Sequence, residues 1–446
     1  MDVVWLIIDS LSLSATPFAD NGPSTMPQLE DVADDAVVFT NAYAPGPSSS
    51  SSHGSFFTGE LPSKTGMHEA HPNFDGELPT IATALSESHR SLVVSSNPFI
   101  FNGLHEGFDE HDDLAGVNPI FESASDPEEY KQRESELGKY WDFLTDERKP
   151  IRSLVNALHF KHRLYKGNTR LHADQITNRI RNFVNRDNQD SLVVANYMDV
   201  HAPLTASDEA IERFAPQTPR NDLPIGVTGK RIHERIQTEE DYDGEDMYAL
   251  YKAAIWDLDR KIAPLVQELV KTDTLVILTA DHGNWFRRKH SLDQERLHVP
   301  LLVFAPEIPA QSISHTVNIR SLPRTTMEIA TGDSGGFSGN QLLKITEDQL
   351  SITEFIHIPE TDGRPVTPSG VRNVDEGIVY EIAAIKNGAR VDYNGTERII
   401  RREESPLTDE LTHIVNEYRK QHIKADTDEI EYNKKTENRL RDLGYL

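Results

Sequence analysis

The chain contains no cysteine, which excludes disulfides and every reaction that needs a thiolate. It has no apolar run approaching the length that spans a bilayer. Basic residues are in the minority: 45 against 72 acidic ones, a formal charge of −27 over 446 residues, with Arg outnumbering Lys. So acidic a surface argues against binding nucleic acid or an anionic membrane. An acidic, lysine-poor, cysteine-free composition suggests a halophilic protein in a salt-rich cytoplasm, where high ionic strength screens self-repulsion. No signal peptide is visible, since Val3-Val4-Trp5-Leu6-Ile7-Ile8 runs into Asp9 without a charged start or a small-residue cleavage site. The expectation is a soluble, cytoplasmic chain, long enough for a sizeable core and roughly two to three domains.

What is present is an alternation of short apolar runs with helical spacings. Residues 3–8, 36–40, 91–95, 192–198, 274–279 and 297–304 read as strands, too short and too uniformly apolar for helices. Between them, residues 26–33 and 79–85 have helical spacing. A long helix is expected over 248–270, with Ile255, Leu258, Ile262 and Leu265 on one side. Residues 120–190 are charged and mostly helical in pattern, and the polar stretch 205–245 suggests a surface excursion or lid. Such an alternation predicts an α/β fold with a largely parallel central sheet covered on both faces by helices. Past residue 310 the texture changes: 378–382 and 390–395 read as antiparallel strands with a turn, and an amphipathic charged tail starts at Leu407. The expected division is a catalytic domain over 1–345 and a smaller antiparallel β plus helix subdomain over 346–446.

The chemistry centres on Ala44-Pro45-Gly46-Pro47, the five serines Ser48-Ser49-Ser50-Ser51-Ser52, and His53-Gly54-Ser55-Phe56-Phe57-Thr58-Gly59. Pro and Gly forbid regular structure up to about residue 47, and residues 54–59 read as the opening of a helix. A hydroxyl at such a turn lies near backbone N–H groups whose dipole favours anions, so it can present a nucleophile and hold an oxyanion. A serine run is otherwise a flexible linker. Its company decides between the two: Asp9 at the end of one apolar strand and Asp281-His282-Gly283 at the end of another, where open α/β sheets place ligands.

The ordered motifs resemble the sulfatase family of the alkaline phosphatase superfamily, in particular its haloarchaeal members, over nearly the whole length. They are Val3-Val4-Trp5-Leu6-Ile7-Ile8-Asp9-Ser10-Leu11, Phe39-Thr40-Asn41-Ala42-Tyr43-Ala44 and Ser55-Phe56-Phe57-Thr58-Gly59-Glu60-Leu61-Pro62. Further on stand Gly107-Phe108-Asp109-Glu110, Tyr197-Met198-Asp199-Val200-His201-Ala202-Pro203, Thr279-Ala280-Asp281-His282-Gly283 and His298-Val299-Pro300-Leu301. The resemblance implies an alkaline-phosphatase-like fold and a metal-dependent hydrolase of sulfuric or phosphoric esters. Counting back from Thr58-Gly59, it puts the nucleophile at Ser49.

The family's Pro and Arg, part of the sequence that directs oxidation to formylglycine, are here Ser51 and His53. These departures argue against formylglycine and leave Ser49 as a plain alkoxide. Two further departures are Ser10, where the family often has a second Asp, and Ser95-Ser96-Asn97-Pro98-Phe99 in place of its Lys-Trp-His-Leu-Gly segment. Asp9, Ser49, Asp281 and His282 would hold one divalent metal ion. Ca²⁺ and Mg²⁺ suit the oxygens, while the imidazole tilts the choice toward Mn²⁺ or Zn²⁺. His201, His298 and Lys64 are candidates to bind the oxyanion or protonate the leaving group. His53, His68, His71 and His290 stand behind them. The expected partner is a small-molecule or glycan-linked sulfate or phosphate ester. A transferase passing phosphoglycerol or phosphoethanolamine to a glycan or lipid precursor, and a catalytically silent binding protein, are the alternatives.

Overall fold

The computed structural model describes residues 1–114, 172–186, 189–239, 242–286, 291–357, 360–361, 364–365, 379–393, 398–400 and 405–418. Asp2–Ile8 (β1) comes first, followed by Pro27–Val32 (α1) and Val37–Tyr43 (β2). Ser49–Thr58 (α2), Pro62–Thr65 (α3) and Ile81–Leu85 (α4) lead to Arg90–Ser95 (β3) and Glu110–Asp113 (β4). After Ala173–Val184 (α5) and Ser191–Tyr197 (β5) come Asp208–Phe214 (α6), Gly229–Thr238 (α7) and Glu245–Leu269 (α8). Thr274–Thr279 (β6), Gln294–Leu297 (α9) and His298–Phe304 (β7) follow. Gln311–Ile313 (β8), Val317–Asn318 (β9) and Leu322–Ala330 (α10) complete the first part. Beyond them lie Ser351–His357 (β10), the ribbon Glu360–Thr361 (β11) and Arg364–Pro365 (β12), and Val379–Lys386 (β13). The last are Ala389–Tyr393 (β14), Arg398–Ile400 (β15) and Pro406–Tyr418 (α11).

The large sheet runs β4-β3-β5-β1-β6-β7-β2-β8, with β9 paired to β2. From β4 to β6 all pairings are parallel. Val3 to Ile8 are wholly buried, because a central parallel strand has both faces covered. The fold is therefore the expected mostly parallel α/β sheet, with one addition: β7 pairs antiparallel to both β6 and β2. Strand register sets the site. Ile8 lies opposite Tyr197 and Ile7 opposite Thr279, so β5, β1 and β6 end side by side. The helix expected over 248–270 is α8, and Ile255, Leu258, Ile262 and Leu265 are all buried on its inner face. No helix among the described residues is long and apolar enough to cross a membrane.

The serine run corrects the expectation for this stretch. The helix opens at Ser49, with Ser48 as its extended N-cap, and residues 54–59 are its end rather than its beginning. Gly59 closes it in the left-handed conformation (φ 78°), which glycine adopts without a Cβ penalty. Serine is a weak former of helix interiors because its hydroxyl competes for backbone groups. Here those hydroxyls bond within the helix and to its entrance: Ser52 Oγ to Gly46 O (2.9 Å), Ser55 Oγ to Ser51 O (2.9 Å) and Thr58 Oγ1 to Gly54 O (2.7 Å). A second sheet, antiparallel in the order β10-β13-β14-β15, carries α11. It meets the first through Phe355, Ala383 and Ile385, packed on Tyr43, Leu292 and Leu297.

Candidate active site

Asp9 leaves the end of β1 fully buried, its backbone N donating to Tyr197 O at 2.9 Å. Its Oδ1 accepts from Ser10 Oγ (3.1 Å), and its Oδ2 from Asn97 Nδ2 (2.6 Å) and Ser49 Oγ (3.4 Å). Ser10 turns the chain in the left-handed region (φ 62°), a conformation unfavourable for a side-chain-bearing residue unless its surroundings hold it. They do: Ser10 N donates to Asp281 Oδ1 (3.0 Å), and the Tyr251 hydroxyl donates to Ser10 O (2.7 Å).

Asp281 follows β6 and is fully buried. Its Oδ1 also takes His282 N (2.8 Å), but its Oδ2 has no hydrogen-bond partner. Burial pushes this carboxyl up from its ordinary value. His282 Nδ1 donates to Gly283 O at 2.8 Å, which fixes the tautomer and leaves Nε2 bare. That nitrogen faces Ser49 Oγ at 3.3 Å and Asp281 Oδ2 at 3.4 Å. Burial lowers the His282 pKa to about 4, so the ring is a neutral lone-pair donor. Gly283 is required by close approach, since a Cβ there would lie 1.8 Å from Glu295 O.

Helix α2 brings Ser49 and His53 to these groups from one face, because residues four apart lie one turn above each other. A ring nitrogen of His53 and carboxylate oxygens of Asp9 and Asp281 all lie within 4.8 Å of one another. Asn196 Nδ2 is 3.3 Å from His53 Nε2, and burial lowers the His53 pKa to about 4. Among the described residues, neither Asp9 nor Asp281 makes a salt bridge to Lys or Arg. Two buried carboxylates, one with an unsatisfied oxygen, beside two neutral imidazoles form an environment that a cation completes. The donor set fits a divalent metal.

The structure thus brings together Asp9, Ser49, Asp281 and His282 as expected, and adds His53. His201, just past β5, is buried with Nδ1 donating to Ala202 O (2.6 Å), and it bears electrostatically on both Asp281 and His282. Two anticipated anion-binding residues are placed elsewhere. His298 opens β7 stacked on Tyr43 (4.8 Å), with Nε2 on Thr40 O (3.1 Å) and Nδ1 near Gln294 Nε2 (3.4 Å). Both its nitrogens face protein atoms outside the cluster. Lys64 points outward, 63% exposed, and pairs with Glu60 at 2.9 Å. His68 and His71 pair with each other across an isolated bridge, and His290 lies outside the described residues.

His53 stood behind the first candidates, and Asn97 and Asn196, which contact the cluster, were not among them. The signal for His53 was its spacing of four from Ser49, hidden by starting the helix at Gly54. Asn97 had a local signal too: Asn before Pro at a strand end, whose Oδ1 accepts Phe99 N (2.9 Å) while its amide is free to reach Asp9.

The family described as Sulfatase matches residues 1–332. Among solved structures, the fold is similar to Ps i-CgsB in complex with k-i-k-neocarrahexaose: TM-score 0.61, 15% identity, 99% of this chain and 96% of that one covered. It is also similar to the phosphonate monoester hydrolase SpPMH from Silicibacter pomeroyi: TM-score 0.58, 15% identity, 94% of each chain covered. Among curated proteins, the phosphopentomutase of Proteus mirabilis (strain HI4320) is 35% identical over 81 residues, 18% of this chain. That match spans 19% of the phosphopentomutase, about a fifth of its length. With the family matched over residues 1–332 and the fold shared along nearly the full length of these neighbours, the chain belongs to the sulfatase family.

Proposed function

We propose that the chain hydrolyses phosphoric or phosphonic esters, with an unmodified Ser49 as nucleophile and Asp9, His53, Asp281 and His282 holding one divalent ion. The observation that carries this reading is the placing of Ser49 Oγ, 3.4 Å from Asp9 Oδ2 and 3.3 Å from the bare His282 Nε2. Two carboxylates and two imidazoles favour Mn²⁺ or Zn²⁺ over purely oxygen-seeking ions. A divalent ion bound there supplies the Lewis acid that lowers the serine pKa and neutralises charge on the ester oxygens.

The protein's own groups do the rest. Ser49 stands at the first position of α2, whose leading N–H groups have no partner within the helix and favour an oxyanion. Asp9 Oδ2 accepts the Ser49 hydroxyl and orients it. Asn97 holds the same oxygen and so fixes Asp9. As Oγ bonds to phosphorus its proton passes to Asp9 Oδ2, which already accepts it, while the ester P–O bond breaks and the alcohol leaves with a proton supplied by His201. Water then adds to phosphorus, giving one proton back to His201, and Ser49 departs with the proton held by Asp9.

Phosphorus rather than sulfur is favoured because Ser51 and His53 stand where the formylglycine-directing sequence has Pro and Arg. Without the second hydroxyl of a formylglycine hydrate, a seryl sulfate has no elimination route. The likeness to a phosphonate monoester hydrolase fits the same choice. The test joins an intact mass of the peptide bearing residues 48–52 to turnover of aryl phosphate, phosphonate and sulfate esters. The expected result is a serine mass and faster phosphate or phosphonate cleavage. A formylglycine mass with sulfate preferred would overturn the assignment.

A further inference from the structure

The loop that carries Ser49 into place is held by the second sheet. Strand β10 pairs with β13 along one side, and among the described residues its other side is the edge of that sheet. Open edges present unpaired N–H and C=O groups. In β10 the residues of one parity direct these groups outward, and the chain around α2 covers them: Glu354 N donates to Pro45 O (2.9 Å), and Ala70 N to Ile356 O (3.3 Å). Side chains add to the hold. Thr353 Oγ1, buried, donates to Ala44 O at 2.6 Å. On the opposite face the buried Glu354 carboxylate accepts Ser63 N (2.8 Å), Ser63 Oγ (2.9 Å) and the Tyr380 hydroxyl (2.8 Å), fixing the start of α3. The approach is close enough that a Cβ on Gly46 would lie 3.2 Å from Glu354 O and 2.4 Å from Ser51 Cβ.

We infer that β10 is a positioning element of the active site: Thr353 and Glu354 fix residues 44–46 and the start of α3, and thereby the direction of Ser49 Oγ. The strand lies beyond residues 1–332, the part matched to the family. Its bonds to Pro45 and Ala44 fall four and five residues before Ser49 in sequence, on a loop that Ser52 Oγ also ties down through Gly46 O. A nucleophile displaced by a fraction of an ångström loses its alignment with the ester while the remaining binding groups stay in place. The inference rests on the assignment of Ser49 as nucleophile.

The test uses the full-length, metal-loaded protein and an aryl phosphate. Thr353→Val removes the hydroxyl at constant shape; Thr353→Ser keeps it. The expected result for Thr353→Val is a fall in kcat of about tenfold or more, with KM within about twofold and metal content unchanged. Thr353→Ser restores kcat to within about twofold of wild type, which a general loss of packing would not do. Glu354→Gln, which keeps its side-chain volume but weakens the grip on Ser63, lowers kcat by a smaller factor, and it stands in if Thr353→Val fails to fold. Wild-type kcat in both Thr353→Val and Glu354→Gln, with Ser49→Ala inactive, would overturn the positioning role alone. Full activity in Ser49→Ala would instead overturn the nucleophile beneath it.

Discussion

Strand β1 and helix α2 touch each other at the centre of the molecule, both wholly buried, and are built from opposite chemistry. In β1 the buried run is Val3-Val4-Trp5-Leu6-Ile7-Ile8, and each large side chain removed from water contributes on the order of 1.5–3 kcal/mol. In α2 the buried residues begin Ser49-Ser50-Ser51-Ser52-His53, whose desolvation costs free energy that hydrogen bonds must offset. The two meet where Trp5 lies edge-on to Phe56 and Phe57, with ring centroids 6.4 Å apart in each pair. Burial in β1 therefore stabilises the fold. Burial at the start of α2 costs free energy, which its hydrogen bonds and the apolar residues at the helix's far end offset.

The sharpest way to separate the two is to remove a charge from the cluster. Asp281→Asn should abolish turnover and most of the bound metal, of which the wild type is expected to carry about one equivalent by elemental analysis. Secondary structure by circular dichroism should hardly change. Full metal retention would break the assignment of Asp281 as a ligand. The reverse experiment is Trp5→Ala, which leaves the cluster intact but opens a cavity beneath α2 and strands the Thr326 hydroxyl that Trp5 Nε1 now meets at 3.1 Å. Denaturant unfolding should show a loss of about 3–5 kcal/mol, with turnover retained under conditions where the variant is folded. A loss below 1 kcal/mol, an order-of-magnitude threshold, would mean that β1 does not bear the stability assigned to it.

Acid should expose the cost of the buried polar groups more gently. Burial holds His53, His282 and His298 at a pKa of about 4, below the 6.5 of an unperturbed ring. Between those values the unfolded chain binds more protons than the folded one. The stability these rings contribute is therefore full above about pH 6.5 and is lost as pH falls toward 4. The buried Asp199 and Asp259, raised to about 6, act in the opposite direction over the same window, so the rings are read directly, by an NMR titration of the imidazole signals in metal-free protein. They should stay neutral down to about pH 4, and midpoints near 6.5 would contradict the burial of neutral rings.

The same contrast explains what could be read from the sequence. β1, β3, β5 and β6 announce themselves as apolar runs, and α8 as an apolar stripe, because hydrophobic burial leaves a periodic mark. Asp9, Asp281 and His282 were legible because they directly follow such runs. The start of α2 left no such mark: by composition alone its serines would be a linker, only their company pointed to a site, and with the helix begun too late the one-turn spacing of Ser49 and His53 vanished. His298 and Lys64 were misplaced for a related reason. Residue type suggested anion binding, but only tertiary partners, Thr40 and Tyr43 for one and Glu60 for the other, decide where such side chains point. The antiparallel direction of β7 likewise has no local signal, since pairing direction is set by the connection and not by the strand's composition.

The most direct measurement compares Ser49→Ala with Ser50→Ala, neighbours in the same buried turn, for hydrolysis of an aryl phosphate with metal present and in high salt. Only Ser49 Oγ faces Asp9 and His282. The proposed mechanism predicts that Ser49→Ala loses several orders of magnitude in rate while keeping its fold, because the remaining donors supply only residual catalysis. Ser50→Ala should stay close to wild type. Equal rates in wild type and Ser49→Ala would contradict the mechanism.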